Sequence, residues 1–283
     1  MKVNVAGLVL ALVLGLAGMP RAASAQSRPL TTEDPETVPA GHVLIEGGLD
    51  FAHAIEFPAA GLTGDLWRLG VVGASIGVGP FAEIQMDGGL VQRLAIDDRN
   101  PNAPLASLLT VVDDRTTDTL DLRVGAKVRF VSETLSRPAI AGRFWTRLPL
   151  ADTETGLGTG TTDFSAGLAV GKTVRSVRTV VNVGLGSAGN AVEGHRRHLV
   201  VDYGGSLARA VRTGVELVGE LAGRTAPDEI GAPPASAIVR VGGRITQGPV
   251  RVDAGLALGL SEVDPVWGFT VGATWVVRAF ETP

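Results

Sequence analysis

The sequence predicts an all-β fold: a single closed antiparallel transmembrane β-barrel of about 12 strands, with long external loops and short periplasmic turns. Three observations predict it. Polar and apolar residues alternate with period two from His42 onward, candidate strands run about ten to fourteen residues, and short turns alternate with longer loops along the chain. Composition agrees, because 38 glycines and only 19% charged residues suit strands and turns better than long helices.

Taken in order, residues 1–25 read as a secretory signal. Lys2 supplies the positive start, Val3 to Gly18 the apolar run, and Ala23-Ser24-Ala25 an A-x-A cleavage site. Removing them deletes Lys2 and Arg21 and no acid, which makes the net charge more negative, and no nucleic-acid partner is expected. Residues 26–41, rich in Pro, Thr and acid, read as an extended periplasmic lead, and residues 42–283 as the barrel in the bacterial outer membrane. No later stretch reaches eighteen uninterrupted apolar residues, so helical membrane spans are excluded.

Strands are expected near 42–54, 65–78, 81–95, 118–131, 138–150, 161–172, 177–187, 197–209, 213–224, 236–246, 249–261 and 265–280. The segment 120–130 shows the alternation most plainly. Leu120, Leu122, Val124, Ala126, Val128 and Phe130 share one face, while Asp121, Arg123, Gly125, Lys127 and Arg129 share the other. A soluble sandwich would alternate too, but strand length and the interleaving of turns with loops favour the barrel. Short turns are expected at Gly79-Pro80, Ser132 to Arg137, Thr173 to Ser176, Val211-Arg212 and Gln247-Gly248, and the longest loop at Asp97 to Thr117. Trp267, Phe269 and Trp275 suit an interfacial girdle, and Phe280 falls out of step with them, which implies a bulge or frayed end.

Two stretches carry a family resemblance: Pro29 to Thr37 (PLTTEDPET) leading into Gly41 to Glu46 (GHVLIE), and Leu157 to Phe164 (LGTGTTDF). Together they resemble the outer-membrane barrel family named for the MetA pathway of phenol degradation. The resemblance implies a transporter-like or channel-like barrel. Its expected partners are outer-membrane lipid and lipopolysaccharide, the barrel-assembly machinery and a small-molecule solute. The chain has Leu148-Pro149-Leu150-Ala151 where that family has a Leu-Pro-Thr-Gly turn, and it overruns the expected terminal aromatic by three residues. On the residues alone, Gly156, Gly158 and Gly160 supply positive-φ freedom for a tight loop, and Asp163, Thr161 and Thr162 can satisfy backbone donors. A phosphate loop is the competing idea, but no Lys-Ser/Thr completes it.

With the apolar parity facing lipid, the lumen receives Glu83, Gln85 and Asp87, then Asp121, Arg123, Lys127 and Arg129, then Arg143, Trp145 and Arg147, and further round Glu216, Glu220, Arg240 and Arg244. One hairpin register sets Glu216 opposite Arg244 and Glu220 opposite Arg240, which is structural ion pairing. The equivalent register between the fourth and fifth strands sets Arg123 opposite Arg147 and Lys127 opposite Arg143. Like charges facing each other require neutralisation by Glu83 and Asp87 or by an anionic ligand, and the second reading makes Arg123, Lys127, Arg143, Trp145 and Arg147 an attractant for anionic or aromatic solutes. His195, Arg196 and Arg197 lie at an external loop junction, as a contact for lipopolysaccharide phosphates or as a solvated rim.

No catalytic residues are expected. The chain has no cysteine, and its histidines, His42, His53, His195 and His198, show no HExxH spacing, so neither a metal nor a cofactor is expected. An esterase using Ser187 and His195 is the rival from a different class, and it lacks an orienting acid. A sealed structural barrel, closed by its own ion pairs, is the third reading.

Overall fold

A computed structural model describes residues 28–227 and 229–280, so the expected signal segment 1–25 and the overrun at 281–283 lie outside the described residues. Backbone polarity dictates the architecture: a sheet that spans lipid must leave no unpaired edge, and this one closes on itself. Strands β1 (His42–Phe57), β2 (Leu62–Gly77) and β3 (Ala82–Arg99) begin the ring. They are followed by β4 (Arg115–Asp118), β5 (Leu122–Val131), β6 (Ala139–Leu148), β7 (Asp163–Val174), β8 (Val177–Gly189) and β9 (Arg197–Arg212). β10 (Val215–Thr225), β11 (Ser236–Gln247), β12 (Val250–Gly259) and β13 (Trp267–Arg278) complete it. Chain neighbours pair antiparallel, except that β4 and β5 both pair with β3, and β13 returns to β1, from His42↔Arg278 to His53↔Trp267. Twelve strands form the closed wall. The short β4 is an additional strand on β3, in line with β5.

Every expected strand is present, and the turn and loop ends separate as expected. Connections 78–81, 132–138, 175–176, 213–214 and 248–249 lie at the end that also holds Gly41 and Phe280, while 58–61, 100–114, 149–162, 190–196, 226–235 and 260–266 lie at the other. The turn expected at Val211-Arg212 falls instead at Thr213-Gly214, because Gly214 takes a φ of 73° that the arginine would resist. The expected Gln247-Gly248 turn likewise moves one residue on, with Gly248 at φ 59°. Outward positions are apolar and uncovered, for example Met86, Val181, Leu185 and Leu256, as a lipid-facing band requires.

The aromatics form a patch rather than a full girdle. Phe51 lies 4.8 Å from Trp67 and 5.3 Å from Trp267, and Trp67 lies 5.8 Å from Phe269, all on the adjoining strands β13, β1 and β2 near the loop end. Such a cluster anchors the wall at the outer interface. β13 ends at Arg278, and the amides of Ala279 and Phe280 bond to Gly41 O, which is how the chain absorbs the out-of-step Phe280.

Inside, the barrel is divided. On the β1–β3 side the external loops fold inward and Ala52, Ala60, Leu62, Leu66, Leu94, Ile96 and Leu157 make a dry core, joined by Ile55, Phe57, Leu109 and Val111. Leu62, Leu66 and Leu94 are all but fully buried, each worth roughly 1.5–3 kcal/mol by burial. The open lumen is therefore confined to the opposite side.

Candidate functional site

The lead before β1 is extended, but it does not hang in the periplasm: residues 28–41 run through the lumen. The physical reason is a match of shape and charge. Inward glycines leave a groove for it, since a Cβ at Gly204 would lie 2.9 Å from Thr32 Oγ1, one at Gly171 2.8 Å from Pro35, and one at Gly242 3.0 Å from Pro29. Charge then fixes the register of the segment. Glu33 meets Arg143 at 2.7 Å, Asp34 forms a two-pronged pair with Arg178 at 2.7 and 2.8 Å, and Glu36 pairs with Arg129. Arg28 lies between Asp50 at 3.5 Å and Asp253 at 3.6 Å.

Glu220 is the strongest single anchor. Its carboxylate accepts from the amides of Thr31 and Thr32, each at 2.8 Å, and from both hydroxyls, while Arg240 pairs with it at 2.8 Å. Asn182 adds a peptide-like pair to Glu33, accepting from its amide and donating to its carbonyl, both at 2.9 Å. Lower down, Lys127 and Glu83, whose side chains are fully buried, pair at 3.0 Å. Lys127 donates to Asp34 O at 3.0 Å and Glu83 accepts from the amide of Val38, so the pair holds both ends of this stretch.

The expected registers are present: Glu216↔Arg244, Glu220↔Arg240, Arg123↔Arg147 and Lys127↔Arg143. Three of the facing cations are neutralised, one of them by the lead. Lys127 has Glu83, and Arg143 has Glu33 with Asn182 Oδ1 at 3.0 Å. Arg147 spends its donors on Asp163, Asp121, Thr159 and Thr161, and so anchors loop 149–162 to the wall. Asp163 also accepts from the amide of Gly189 at 2.9 Å. Gly156 and Gly160 do take positive φ, whereas Gly158 serves by close approach, since a Cβ there would lie 2.0 Å from Ala151 O.

Arg123 differs. It makes no ion pair within 4 Å among the described residues, Asp87 stands opposite it in the ladder, and its guanidinium lies 5.1 Å from the Trp145 ring centre. It faces a chamber of about 460 Å3 above the lead, floored by Thr31 and Thr32 and bounded by Arg143, Trp145, Arg224 and Arg240. A vestibule of about 820 Å3 beneath the external loops adjoins that chamber, sharing Glu56, Arg224 and Val263 with it. On the turn side, a space of about 320 Å3 is lined by Glu36, Glu133, Arg178 and Glu216. Between the two lies a void of about 30 Å3 at Thr32, Asp34 and Arg178, the size of one water molecule.

At the turn end, Arg178 joins Asp34 to Glu133 of the β5–β6 turn. Partial burial works to raise the Glu133 pKa, but the Thr173 amide at 2.7 Å, the Arg178 guanidinium and Lys172 outweigh it and hold the carboxyl below the usual range. A lowered folded pKa stabilises the fold above the unfolded value and loses that contribution as the pH falls through the folded one. The urea midpoint of the wild-type barrel should therefore drop as pH falls below the ordinary glutamate range. Glu133→Gln should start lower at pH 7 and fall less, and parallel profiles would contradict this.

The rim residues separate as well. Arg196 pairs with Glu229 at 2.5 Å, Arg197 donates to Ser187 Oγ at 2.7 Å and lies over Phe164, and His195 is exposed. Ser187 is thus held by Arg197, and the His195 pairing that an esterase would need is not formed. The buried histidine is His198, 3.0 Å from buried Asn190 and 3.4 Å from exposed Glu229, with no nucleophile in that set.

No family model matches the chain, and no curated protein matches it. Solved structures do. An outer membrane channel from Pseudomonas putida F1 is 14% identical with a TM-score of 0.59, over 86% of this chain and 98% of that one. The NanC porin is 7% identical at 0.49, over 82% and 98%, and the translocator domain of the autotransporter NalP from Neisseria meningitidis is 12% identical at 0.48, over 96% and 95%. At such identity it is the fold that the first of them shares. The closed ring, the lipid-facing apolar band and this likeness together give the chain the fold of an outer-membrane β-barrel.

Proposed function

We propose that the chain is a plugged outer-membrane channel that takes small anionic solutes, aromatic ones included, into the chamber above residues 28–41. The transporter-like family that PLTTEDPET and LGTGTTDF resemble supports this reading. The observation that carries it is Arg123: a lumen cation beside Trp145 that faces Asp87 in the ladder and makes no ion pair within 4 Å among the described residues, where its neighbours are paired. A guanidinium in that state keeps its donors for a carboxylate, and the indole beside it favours a flat ring. The rim cation Arg196 and exposed His195 fit a lipopolysaccharide-phosphate contact on the same reading.

Planar-bilayer recording of the full chain tests it. Arg123→Ala should lower anion preference and weaken block by benzoate several-fold, while the charge-conserving double substitution Arg147→Ala with Asp121→Asn, which removes a cation and an acid together, should leave selectivity unchanged. Equal effects of the two variants would remove the role given to Arg123. A full chain and a plug-deleted chain that are both silent would favour the sealed structural barrel, for which the density of ion pairs around the plug is the supporting observation.

A further inference from the structure

The short strand β4 places a second cation beside one on β3. Arg93 pairs with Thr117 and Ala95 with Arg115, so Arg93 and Arg115 are diagonal neighbours on one face, about 7–8 Å apart. That face is the outer one. Gln92, Leu94 and Thr116, of the opposite parity, are buried inside, while Arg93, Arg115 and Thr117 are exposed. Like charges held side by side cost energy unless an anion lies against them.

No group among the described residues fills that place: neither arginine makes a hydrogen bond or an ion pair there. Asp65 is diagonal to Arg93 on the other side, since Asp65 pairs with Ala95 and Trp67 with Arg93. Its Oδ1, however, meets His53 Nδ1 at 2.7 Å and accepts from the Ala54 amide at 3.1 Å, an arrangement set by the irregularity in β1 where Ala54 takes φ 51°. Asp97, Asp113 and Asp114 lie on the loop side of the two arginines and are exposed to water, which screens them.

Depth identifies the occupant. Trp67, opposite Arg93, belongs to the aromatic cluster with Phe51 and Phe269 at the outer interface, and Arg115 stands one step further out. One step further in, Leu69 pairs with Val91, and both are apolar and exposed. From the membrane outward the surface therefore runs from apolar to aromatic to cationic, which is the order of acyl chain, sugar and phosphate in the glycolipid that builds the outer leaflet.

We infer that Arg93 and Arg115 bind a phosphate of the lipid A part of lipopolysaccharide, with the Thr117 hydroxyl as a further donor, Trp67 against the sugar and acyl chains over Leu69 and Val91. The site is separate from the solute chamber and from the rim residues His195 and Arg196, which lie on the far side of the ring from β3. It has a consequence inside the barrel. β4 holds β3 by only four residues, and the loop that precedes it, 100–114, brings Leu109 and Val111 to the dry core. A phosphate bridging the two arginines fastens β4 to β3 and steadies that loop.

The test is native mass spectrometry of the full chain in detergent, titrated with lipid A, with dephosphorylated lipid A and with phosphatidylglycerol. Lipid A should bind about tenfold more tightly than either control, and Arg93→Ala with Arg115→Ala should bring it down to their level. Arg93→Gln and Arg115→Gln, each a single change on an exposed face, should each weaken it several-fold, while Arg196→Ala leaves it unchanged. Lipid A should also slow amide hydrogen exchange over 105–118 in the wild type and not in the double variant. Equal binding of lipid A by the wild type and these arginine variants overturns the site. Phosphatidylglycerol bound as tightly as lipid A overturns the assignment to the glycolipid, and a loss caused by Arg196→Ala alone overturns the site in favour of the rim.

Discussion

Deleting residues 28–38 should raise single-channel conductance about tenfold and make the open pore more anion-selective. The void of about 30 Å3 is the narrow point between an external chamber of about 460 Å3 and a turn-side space of about 320 Å3, and it is lined by Leu30, Thr32 and Asp34 of the deleted stretch. The wall should survive, because its strands pair with one another and not with the plug. Selectivity follows from the charges removed: Glu33, Asp34 and Glu36 leave with Arg28, Arg143 and Arg129 lose their acids, and Arg178 keeps only Glu133. Gly204→Leu offers a check within the full-length chain, since a side chain there collides with Thr32 and should produce intermittent openings. An unchanged conductance after deletion, or a cation-selective pore, would contradict this account of the plug.

The wall was legible in the sequence because a lipid-facing strand has only one way to alternate. The segment 120–130 displays that parity, and the hairpin registers followed from equal charge spacings on adjoining strands. The plug was not legible by the same means. Extended residues rich in Pro and Thr carry no period, and their partners Asn182, Arg178 and Glu220 lie 144 to 189 positions away. A signal did exist in the wall: Arg123 facing Arg147 and Lys127 facing Arg143 require more acid than Glu83 and Asp87 provide, and Glu33 of the lead supplies part of it beside Asp121 and Asp163.

The other large effect is expected at the base of the plug. Lys127→Met should cost about 3–5 kcal/mol, the usual consequence of removing one partner of a buried ion pair. Glu83 would then hold its charge with only the Gln85 amide at 2.8 Å and the Val38 N–H as donors, and its side chain has no solvent exposure. With a urea slope of roughly 1–3 kcal/mol per molar, the unfolding midpoint should move down by about 1–5 M, read from the fluorescence of the four tryptophans. The double variant Lys127→Met with Glu83→Gln should recover most of that loss, because no buried charge remains, yet it cannot restore the Lys127 bond to Asp34 O. Stability and plug retention should therefore separate: the double variant folds nearly as well as the wild type and opens more often in bilayer recordings. If the double variant is as unstable as the single one, the cost lies in lost packing and not in the orphaned carboxylate. If it is stable and never opens more, the pair supports the wall alone, and retention of the plug falls to Glu220 and Arg178.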